Sequence, residues 1–436
     1  MRWALLLLLL AGCGDSKTGV ACVPGAQAAC ACPGAGQGVQ VCADDGARYG
    51  SCACGEVPID ATSADALVAY TADVALPEDL PPTPEDVPAP PIDTPPTASC
   101  EPCGYGDVKG IICAPSEQVF VPKATVTIDA LDCDGKPVHL ETLSSLDGTY
   151  TFDKVPCGLH QVHVKAGSFE NSYNIQVEVG KTTDITGVGK KQCFKAGGVP
   201  IAVFWGQWDD QGGLLEKLGF QFTYYNFEWD YFHDTKPEDI EAVKVLRDPL
   251  LLAKYKLLFF NCGSAALTYV NMFPEIEENL HDFVLAGGSI YASDLAWAYV
   301  EGAFPDAIDF HGNTDLPKGP TNDGPQEAKG QQTVPATIID TDMSGYVGVS
   351  TFSAFYGPGP LIAIASPGPD ATERVRGPVQ IEDSSFAGSH PEVGPLVVTV
   401  APPFAGAGRI VYTTFHNDEQ ADQLMLKILY YLVFQL

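Results

Sequence analysis

The spacing of apolar residues along the chain changes near residue 197. Between residues 100 and 195, apolar and polar residues alternate in stretches such as "ATVTIDALD" and "GTYTFDKV", separated by the turn signals Asp134-Gly135 and Asp147-Gly148. A period of two indicates strands with one buried face. Several such strands in succession predict an antiparallel β-sandwich over residues 100–195.

After residue 197 the apolar runs become continuous. "VPIAVFW", "KLLFFNC" and "SIYAS" are typical of parallel strands buried on both faces. They alternate with helix candidates such as "KPEDIEAVKVLRDPLLLAKY" and "PEIEENLHDFVLAGG". This order predicts an α/β domain over residues 197–436, with a flavodoxin-like, mostly parallel sheet. Residues 305–345, rich in Gly, Pro and Asp, are expected to form a long surface excursion.

The first 13 residues, "MRWALLLLLLAGC", form an apolar run that follows a single Arg and ends in small residues. The run is too short to span a bilayer and predicts a signal peptide. Leu10-Ala11-Gly12-Cys13 resembles the lipobox of bacterial lipoproteins, whose cysteine is lipidated and becomes the first mature residue. The resemblance implies that residues 1–13 end at a lipidated Cys13, which anchors the chain to a bacterial membrane. The outer membrane or cell surface is the expected location, with the inner membrane left open. An ordinary cleaved signal peptide is the alternative, and either one predicts export.

Export places the cysteines in an oxidising compartment, where disulfides are favoured over metal ligands. Of the 14 cysteines, two are Cys13 and Cys262, and the remaining twelve are disulfide candidates. These are Cys22, Cys30, Cys32, Cys42, Cys52, Cys54, Cys100, Cys103, Cys113, Cys133, Cys157 and Cys193. The first six form a cysteine-rich module at residues 18–55, which has too few large apolar residues for a core. Zinc is the alternative there, but the CxC pairs lack the usual CxxC spacing.

Residues 56–99 contain ten prolines and nine acidic residues but no Lys or Arg. This composition predicts a disordered, self-repelling spacer. The chain is therefore expected to be multidomain, with a disulfide-rich stalk and a disordered linker before the β-sandwich and the α/β domain.

The charge balance excludes one class of partner. With 24 Lys and Arg against 55 Asp and Glu, the net charge is −31. Such a chain cannot neutralise phosphates along a nucleic acid, so no nucleic acid is expected as a partner. The expected partners are the membrane, through the N-terminal lipid, and a glycan or an envelope protein.

The predicted sandwich resembles the carboxypeptidase regulatory-like family. The similarity rests on Val108-Lys109-Gly110, on "KATVTIDA" and above all on "SSLDGTYTFDKVPCGLHQVHV", and it covers nearly the whole of residues 100–195. That family implies a non-catalytic accessory or binding module.

The α/β segment resembles the class I glutamine amidotransferase-like superfamily, most nearly its degenerate trehalose-utilisation-like branch. Three motifs carry the resemblance: "FFNCGS", "AGGSIYASDLAW" and "RIVYTTFHND". They imply that Cys262 lies at the oxyanion strand end, that Asp294 occupies the place of the nucleophilic cysteine, and that His416 corresponds to the catalytic histidine.

The departure from the family concerns the nucleophile. Aspartate is an acceptor-only group and cannot carry out thiol-based amide hydrolysis. Cys262 is then either a small, partly buried residue at a strand end or a relocated nucleophile whose pKa is lowered by His416. Cys262, Asp294 and His416 are the candidate catalytic residues, and the sequence favours a protein that is not an enzyme without excluding one.

The carboxyl ends of the predicted strands are expected to form a ligand-binding rim, because ligands of open α/β sheets gather at that edge. The residues expected there are Trp205, Trp208, Asp209, Asp210, Trp229 and Trp297. Aromatic faces beside carboxylates suit sugar rings, although the aromatic residues could instead wedge loops against the sheet. Carboxylates near a histidine could also hold a divalent cation, but no EF-hand loop or HExxH motif occurs, so neither a metal site nor a cofactor is predicted. "SHPEVG", with His390 and Glu392, is interpreted as a loop.

These observations predict a non-catalytic binding or structural role at the cell envelope, with carbohydrate as the ligand considered first. The alternative is a hydrolase of envelope amides or glycans that uses His416 with Asp294 or Cys262. A third interpretation makes both folded domains spacers for a partner protein.

Overall fold

The computed structural model describes residues 27–32, 36–41, 104–187, 191–227, 236–311, 327–328, 331–357, 361–382, 388–417 and 423–436. The chain divides into two compact units, Met1–Pro90 and Pro91–Leu436. In the first unit, strands β1 (Gln27–Cys32) and β2 (Gly36–Val41) pair antiparallel. The predicted signal peptide with Cys13 and the linker at 56–99 lie outside the described residues, as do Cys22, Cys42, Cys52, Cys54, Cys100 and Cys103.

The second unit begins with eight strands. They are β3 (Tyr105–Cys113), β4 (Thr125–Leu131), β5 (Pro137–Leu143), β6 (Thr149–Pro156), β7 (Gly158–Ala166), β8 (Phe169–Val177), β9 (Thr182–Ile185) and β10 (Gln192–Cys193). They form two four-stranded sheets, one in the order β5-β4-β7-β8 and one in which β3 pairs with β6, β9 and β10. The apolar faces of the two sheets meet in a common core.

The sandwich is only partly antiparallel. All pairs of the first sheet are antiparallel, but β9 and β10 both run parallel to β3. Alternating apolar residues indicate one buried face in both parallel and antiparallel pairs, so the sequence could not distinguish the two directions of pairing. A disulfide between Cys113 and Cys193 joins β3 to β10, and Cys133 and Cys157 are also disulfide-bonded.

The remaining residues form a large sheet flanked by helices. In chain order the elements are β11 (Ile201–Phe204), α1 (Gln211–Leu218), β12 (Thr223–Tyr225), a 3-10 turn (Pro237–Asp239), α2 (Glu241–Arg247), α3 (Pro249–Leu252), β13 (Leu257–Phe260), α4 (Ala265–Met272), α5 (Glu275–Leu285), β14 (Ser289–Ser293), a 3-10 turn (Asp294–Ala296), α6 (Trp297–Ala303), β15 (Ile308–Phe310), β16 (Glu327–Ala328), β17 (Gln332–Ile338), α7 (Thr341–Val347), β18 (Thr351–Tyr356), β19 (Leu361–Ile362), β20 (Ile364–Pro367), β21 (Ala371–Glu382), β22 (Ser389–Val400), β23 (Ile410–Thr413) and α8 (Gln423–Val433).

The large sheet is mixed. Strands β12-β11-β13-β14-β23 are all parallel, and β11, β13, β14 and β23 are buried along their whole length, as their continuous apolar sequences predict. Beyond β23 the pairing turns antiparallel through β22 and β21 to β16 and β17. The prediction of a mostly parallel sheet therefore holds only for the part that begins at β12 and ends at β23.

Two interpretations of the sequence are wrong in this region. The described parts of residues 305–345 are not a surface excursion, because they include β15, β17 and the start of α7, and Val334, Ala336 and Ile338 are buried. The Gly- and Pro-rich composition hid this short alternating pattern. His390 and Glu392 lie in strand β22 and not in a loop.

The helix predicted over "KPEDIEAVKVLRDPLLLAKY" is broken into α2 and α3. Asp248 separates them, and its side chain accepts hydrogen bonds from the backbone N–H groups of Leu250 and Leu251. Pro249 lacks the N–H that a continuous helix would need, so it begins the new helix. No helix among the described residues is long and apolar enough to cross a membrane.

One core joins the sandwich to the large sheet. Phe169 of β8 lies with its ring centroid 4.7 Å from that of Phe220 and 5.1 Å from that of Phe434, which follows α8. Phe194, just after β10, stacks on Phe434 at 5.9 Å. These four rings, here called the aromatic junction, fuse the two parts into one apolar interior.

We expect the second unit to unfold as a single cooperative body. Phe434→Ala removes a buried ring at the aromatic junction and should lower the free energy of unfolding by about 3–5 kcal/mol. Phe404→Ala is the matched control, since that ring is 59% exposed, and should change it by less than about 0.5 kcal/mol. Urea denaturation followed by far-UV circular dichroism and tryptophan fluorescence measures both. Two separate transitions in the wild-type chain would contradict the shared core.

Candidate functional site

Asp294 lies at a sharp turn between strand β14 and helix α6. Its φ is +44°, a left-handed conformation that is costly for a residue other than glycine. A strand, a strained residue and a helix in succession form the geometry that exposes a nucleophile in elbow-type hydrolases. In this chain the residue at the turn is a carboxylate, and only 1% of its surface is exposed.

The Asp294 side chain is bonded through both of its oxygens. Oδ2 accepts from the Cys262 thiol at 3.0 Å and from His416 Nε2 at 3.0 Å. Oδ1 accepts from the backbone N–H of Ile362 in β19 at 2.7 Å. The Tyr412 hydroxyl donates to the Asp294 backbone oxygen at 2.7 Å. The side chain of Asp294, at the elbow-like turn after β14, is thus enclosed by protein.

The three candidate catalytic residues of the sequence analysis meet at this point. Cys262 follows β13, Asp294 follows β14 and His416 follows β23, and these strands are parallel neighbours in the sheet. Their exposed fractions are 0%, 1% and 3%, respectively. The side chains therefore form a buried triad at the carboxyl edge, below the solvent-accessible surface.

Cys262 is not set up as a nucleophile. Burial raises the pKa of its thiol, and the adjacent Asp294 carboxylate raises it further, while the backbone of Leu295 opposes the shift. A cysteine nucleophile needs the opposite environment, which stabilises the thiolate. Cys262 is the free cysteine among the described residues, and it acts as a hydrogen-bond donor.

Two glycines allow the loops after β11 and β13 to touch. A Cβ on Gly206 would lie 2.1 Å from the carbonyl oxygen of Cys262. A Cβ on Gly263 would lie 2.9 Å from the Cα of Gly206. Both contacts are too short for any side chain, so glycine at these positions keeps Cys262 closely packed against the neighbouring strand end.

Asp209 is part of a second buried network. It is 5% exposed and accepts from the Ser293 hydroxyl at 2.6 Å and from the backbone and side-chain N–H groups of Asn417 at 2.9 and 2.8 Å. Gln211 donates to Ser293 Oγ at 3.0 Å, and the Tyr291 hydroxyl donates to Asn417 at 3.2 Å. Asp209 thus ties strand ends together and does not face a ligand.

The residues of the predicted aromatic rim differ in exposure. Trp297 is only 2% exposed and contacts Phe310 edge to face at 5.8 Å, so it cannot stack on a sugar. Trp205 is half-buried, whereas Trp208 is 45% exposed. Asp210 caps α1 by accepting from the backbone N–H of Gly213 at 3.0 Å. Trp229 lies outside the described residues.

Several residues of the site were absent from the sequence analysis. Asn417 directly follows His416 and could have been noticed as a second polar residue at the same strand end. Tyr412 lies within an apolar strand, where its hydroxyl gave no signal. Ile362 acts through its backbone N–H, which no sequence pattern reveals.

Comparison with known proteins adds little to this geometry. No protein-family model and no curated protein matches the chain. The chain is similar to the cytoplasmic protein STM3548 from Salmonella typhimurium, with 11% identity, a TM-score of 0.32, and coverage of 54% of this chain and 97% of that one. It is similar over the same shares to SMU.1228c, with 10% identity and a TM-score of 0.31, and to PurLQS from Thermotoga maritima, with 10% identity and a TM-score of 0.30. Nothing about this chain's activity follows from similarities this low.

We expect slow alkylation of Cys262 in the native protein. Because its thiol is buried and its pKa is raised, iodoacetamide should label it far more slowly than a free thiol at every pH below 9, and urea should restore ordinary labelling. Mass spectrometry of the Cys262 peptide measures the rate. Fast labelling with a midpoint below pH 7, abolished by His416→Ala, would instead reveal an activated thiolate.

Proposed function

We propose that this chain is an exported, lipid-anchored protein with a non-catalytic binding role at the cell envelope. The lipobox-like sequence ending at Cys13 supports the anchor. The burial of Asp294 at the elbow, with Oδ1 bonded to the backbone of Ile362, is the observation that supports the absence of catalysis.

A nucleophile elbow works because it presents its side chain to a substrate. Here the corresponding residue is Asp294, and the end of β19 covers its side chain. General acid–base catalysis by His416 and Asp294 would also require a reacting group within hydrogen-bond distance. With exposed fractions of 3% and 1%, these side chains offer a substrate no surface. The hydrolase alternative therefore has less support than the binding role.

A cleft at the opposite edge of the sheet supports ligand binding. It measures about 840 Å³ and lies between the sandwich and the amino ends of the parallel strands. Its described lining includes four basic side chains and one acidic side chain, which are Lys123, Lys165, Lys256, Arg409 and Glu170. In a chain with net charge −31, a surface with more basic than acidic side chains stands out as a place where an anion could bind.

Two of the four cations are available to a ligand. Lys165 pairs with Glu170 at 2.6 Å, and Lys123 pairs with Asp342 at 3.2 Å. Lys256 and Arg409 have no ion pair with any described residue, and Arg409 Nη1 donates to the backbone oxygen of Gln435 at 3.3 Å. These two groups suit a carboxylate or a phosphate. We propose an acidic glycan, because it supplies such groups and occurs at a cell envelope.

The anchor is tested at Cys13. The wild-type protein, expressed in a Gram-negative host, should incorporate an alkyne-labelled fatty acid and sediment with the membranes. Cys13→Ala should lose the label and move to the soluble exported fraction, because the acyl chains that hold the protein in the membrane are then absent. Cys22→Ala is the matched cysteine control and should remain labelled. A label retained in Cys13→Ala would contradict the lipid anchor.

The ligand class is tested by retention on immobilised polygalacturonate, with dextran as the neutral control. We expect the wild-type chain to be retained on polygalacturonate alone and to be released as salt screens the charges. The double variant Lys256→Ala/Arg409→Ala should lose retention by about tenfold or more. Lys217→Ala, an exposed cation outside the cleft, should behave as wild type.

Catalysis is tested by incubating the protein with purified envelope glycan in place of polygalacturonate. Mass spectrometry of the supernatant should show no released product from either the wild type or His416→Ala. A product formed by the wild type and lost in a correctly folded His416→Ala would establish the hydrolase. Equal retention of the cleft variant and the wild type would remove the acidic-glycan assignment.

A further inference from the structure

The buried triad offers three different metal-ligand atoms at one point. Cys262 Sγ, an Asp294 carboxylate oxygen and a His416 ring nitrogen all lie within 4.8 Å of one another. Cys262 and Asp294 are separated by 32 residues and Asp294 and His416 by 122, so the three residues form no local sequence motif. It exists only because β13, β14 and β23 are adjacent and parallel.

The distances between the donor atoms are close to those around a tetrahedral ion. With bonds of about 2.0–2.3 Å, the donors of a zinc site lie about 3.3–3.8 Å apart. Here the sulfur–oxygen and nitrogen–oxygen distances are each 3.0 Å, and no pair exceeds 4.8 Å. Side-chain shifts of about 1 Å or less would place one ion in contact with all three residues.

The donor set selects the metal. A thiolate and an imidazole disfavour Ca²⁺ and Mg²⁺, which prefer oxygen ligands. Sulfur, nitrogen and carboxylate oxygen together are typical ligands of Zn²⁺. On binding, the ion replaces the proton of the Cys262 thiol, which passes to solvent, and the Nε2 proton of His416 moves to Nδ1 so that Nε2 can bind the ion. One thiolate and one carboxylate then balance the two positive charges of the ion.

The surroundings also suit a cation. No Lys or Arg is buried among the described residues, whereas the carboxylates of both Asp209 and Asp294 are. The second oxygen of Asp294 is held by the backbone of Ile362, and its backbone oxygen by Tyr412. Such outer contacts orient a ligand before the ion arrives.

We propose that Cys262, Asp294 and His416 bind one Zn²⁺ ion, which joins the ends of β13, β14 and β23. Three protein ligands leave the fourth tetrahedral position to a water molecule. Because the ligands are buried and leave no surface for a substrate, the ion's role is to hold the three strand ends together. This inference goes beyond the proposed function and does not depend on the lipid anchor or on the basic cleft.

The test uses the full chain purified without chelator. We expect about one zinc per chain by plasma mass spectrometry, and removal of zinc should lower the thermal unfolding midpoint until Zn²⁺ is restored. Cys262→Ser and His416→Ala should each weaken zinc binding at least about 100-fold in competition with a fluorescent chelator. His390→Ala, a half-exposed histidine outside the triad, and Asp209→Asn, a buried carboxylate outside it, are the controls and should keep the zinc.

Cobalt substitution keeps the proposal testable if a variant fails to fold. Co²⁺ in the wild-type chain should give the charge-transfer absorption of a cobalt–thiolate bond together with visible bands of tetrahedral intensity. A wild-type protein that binds neither ion, a cobalt spectrum without a thiolate band, or zinc retained in folded Cys262→Ser would each overturn the proposal. None of these results would alter retention on polygalacturonate, and a released glycan product would not alter the zinc content.

Discussion

The carboxylate of Asp294 is the constraint around which the carboxyl edge of the sheet is organised. A buried charge is stable only when its oxygens are paired, and here the partners of the two carboxylate oxygens come from three separate parts of the chain. Cys262, His416, Ile362 and Tyr412 must each reach one residue, which fixes the ends of three parallel strands and the short strand that covers them. The left-handed backbone at Asp294 is held in place by the same contacts.

The second buried carboxylate extends this order outward. Asp209 links Asn417, four residues after the end of β23, to Ser293, the residue before Asp294. Because Ser293 and Asp294 are consecutive, the two networks share one backbone turn. The carboxyl edge is therefore closed by hydrogen bonds that face inward. The amino edge has the opposite character, since its basic side chains face an open cleft.

The sequence predicted the elements better than their arrangement. Continuous apolar runs located β11, β13, β14 and β23, because a strand that is buried on both faces is apolar at nearly every position. Pairing direction and the antiparallel extension through β21 and β22 depend on contacts between distant residues, which one sequence does not encode locally. The triad was identified residue by residue, but its burial was not, since the covering contact comes from the backbone of Ile362 and not from a side chain. The rim prediction placed Trp297 on a surface, although the elbow directs it into the core.

The aromatic junction has a mechanical consequence for the cleft. The cleft takes one wall from the sandwich and the other from the large sheet, and the rings of Phe169, Phe220 and Phe434 lock these walls into a single solid. Because the two walls share one core, we do not expect one part to close onto the other around a ligand, as happens in two-lobed binding proteins. The cleft must then select its ligand by the shape and charge that it already has before binding. A rigid receptor of this kind loses little conformational freedom on binding, and it releases its ligand as readily as the contacts themselves allow.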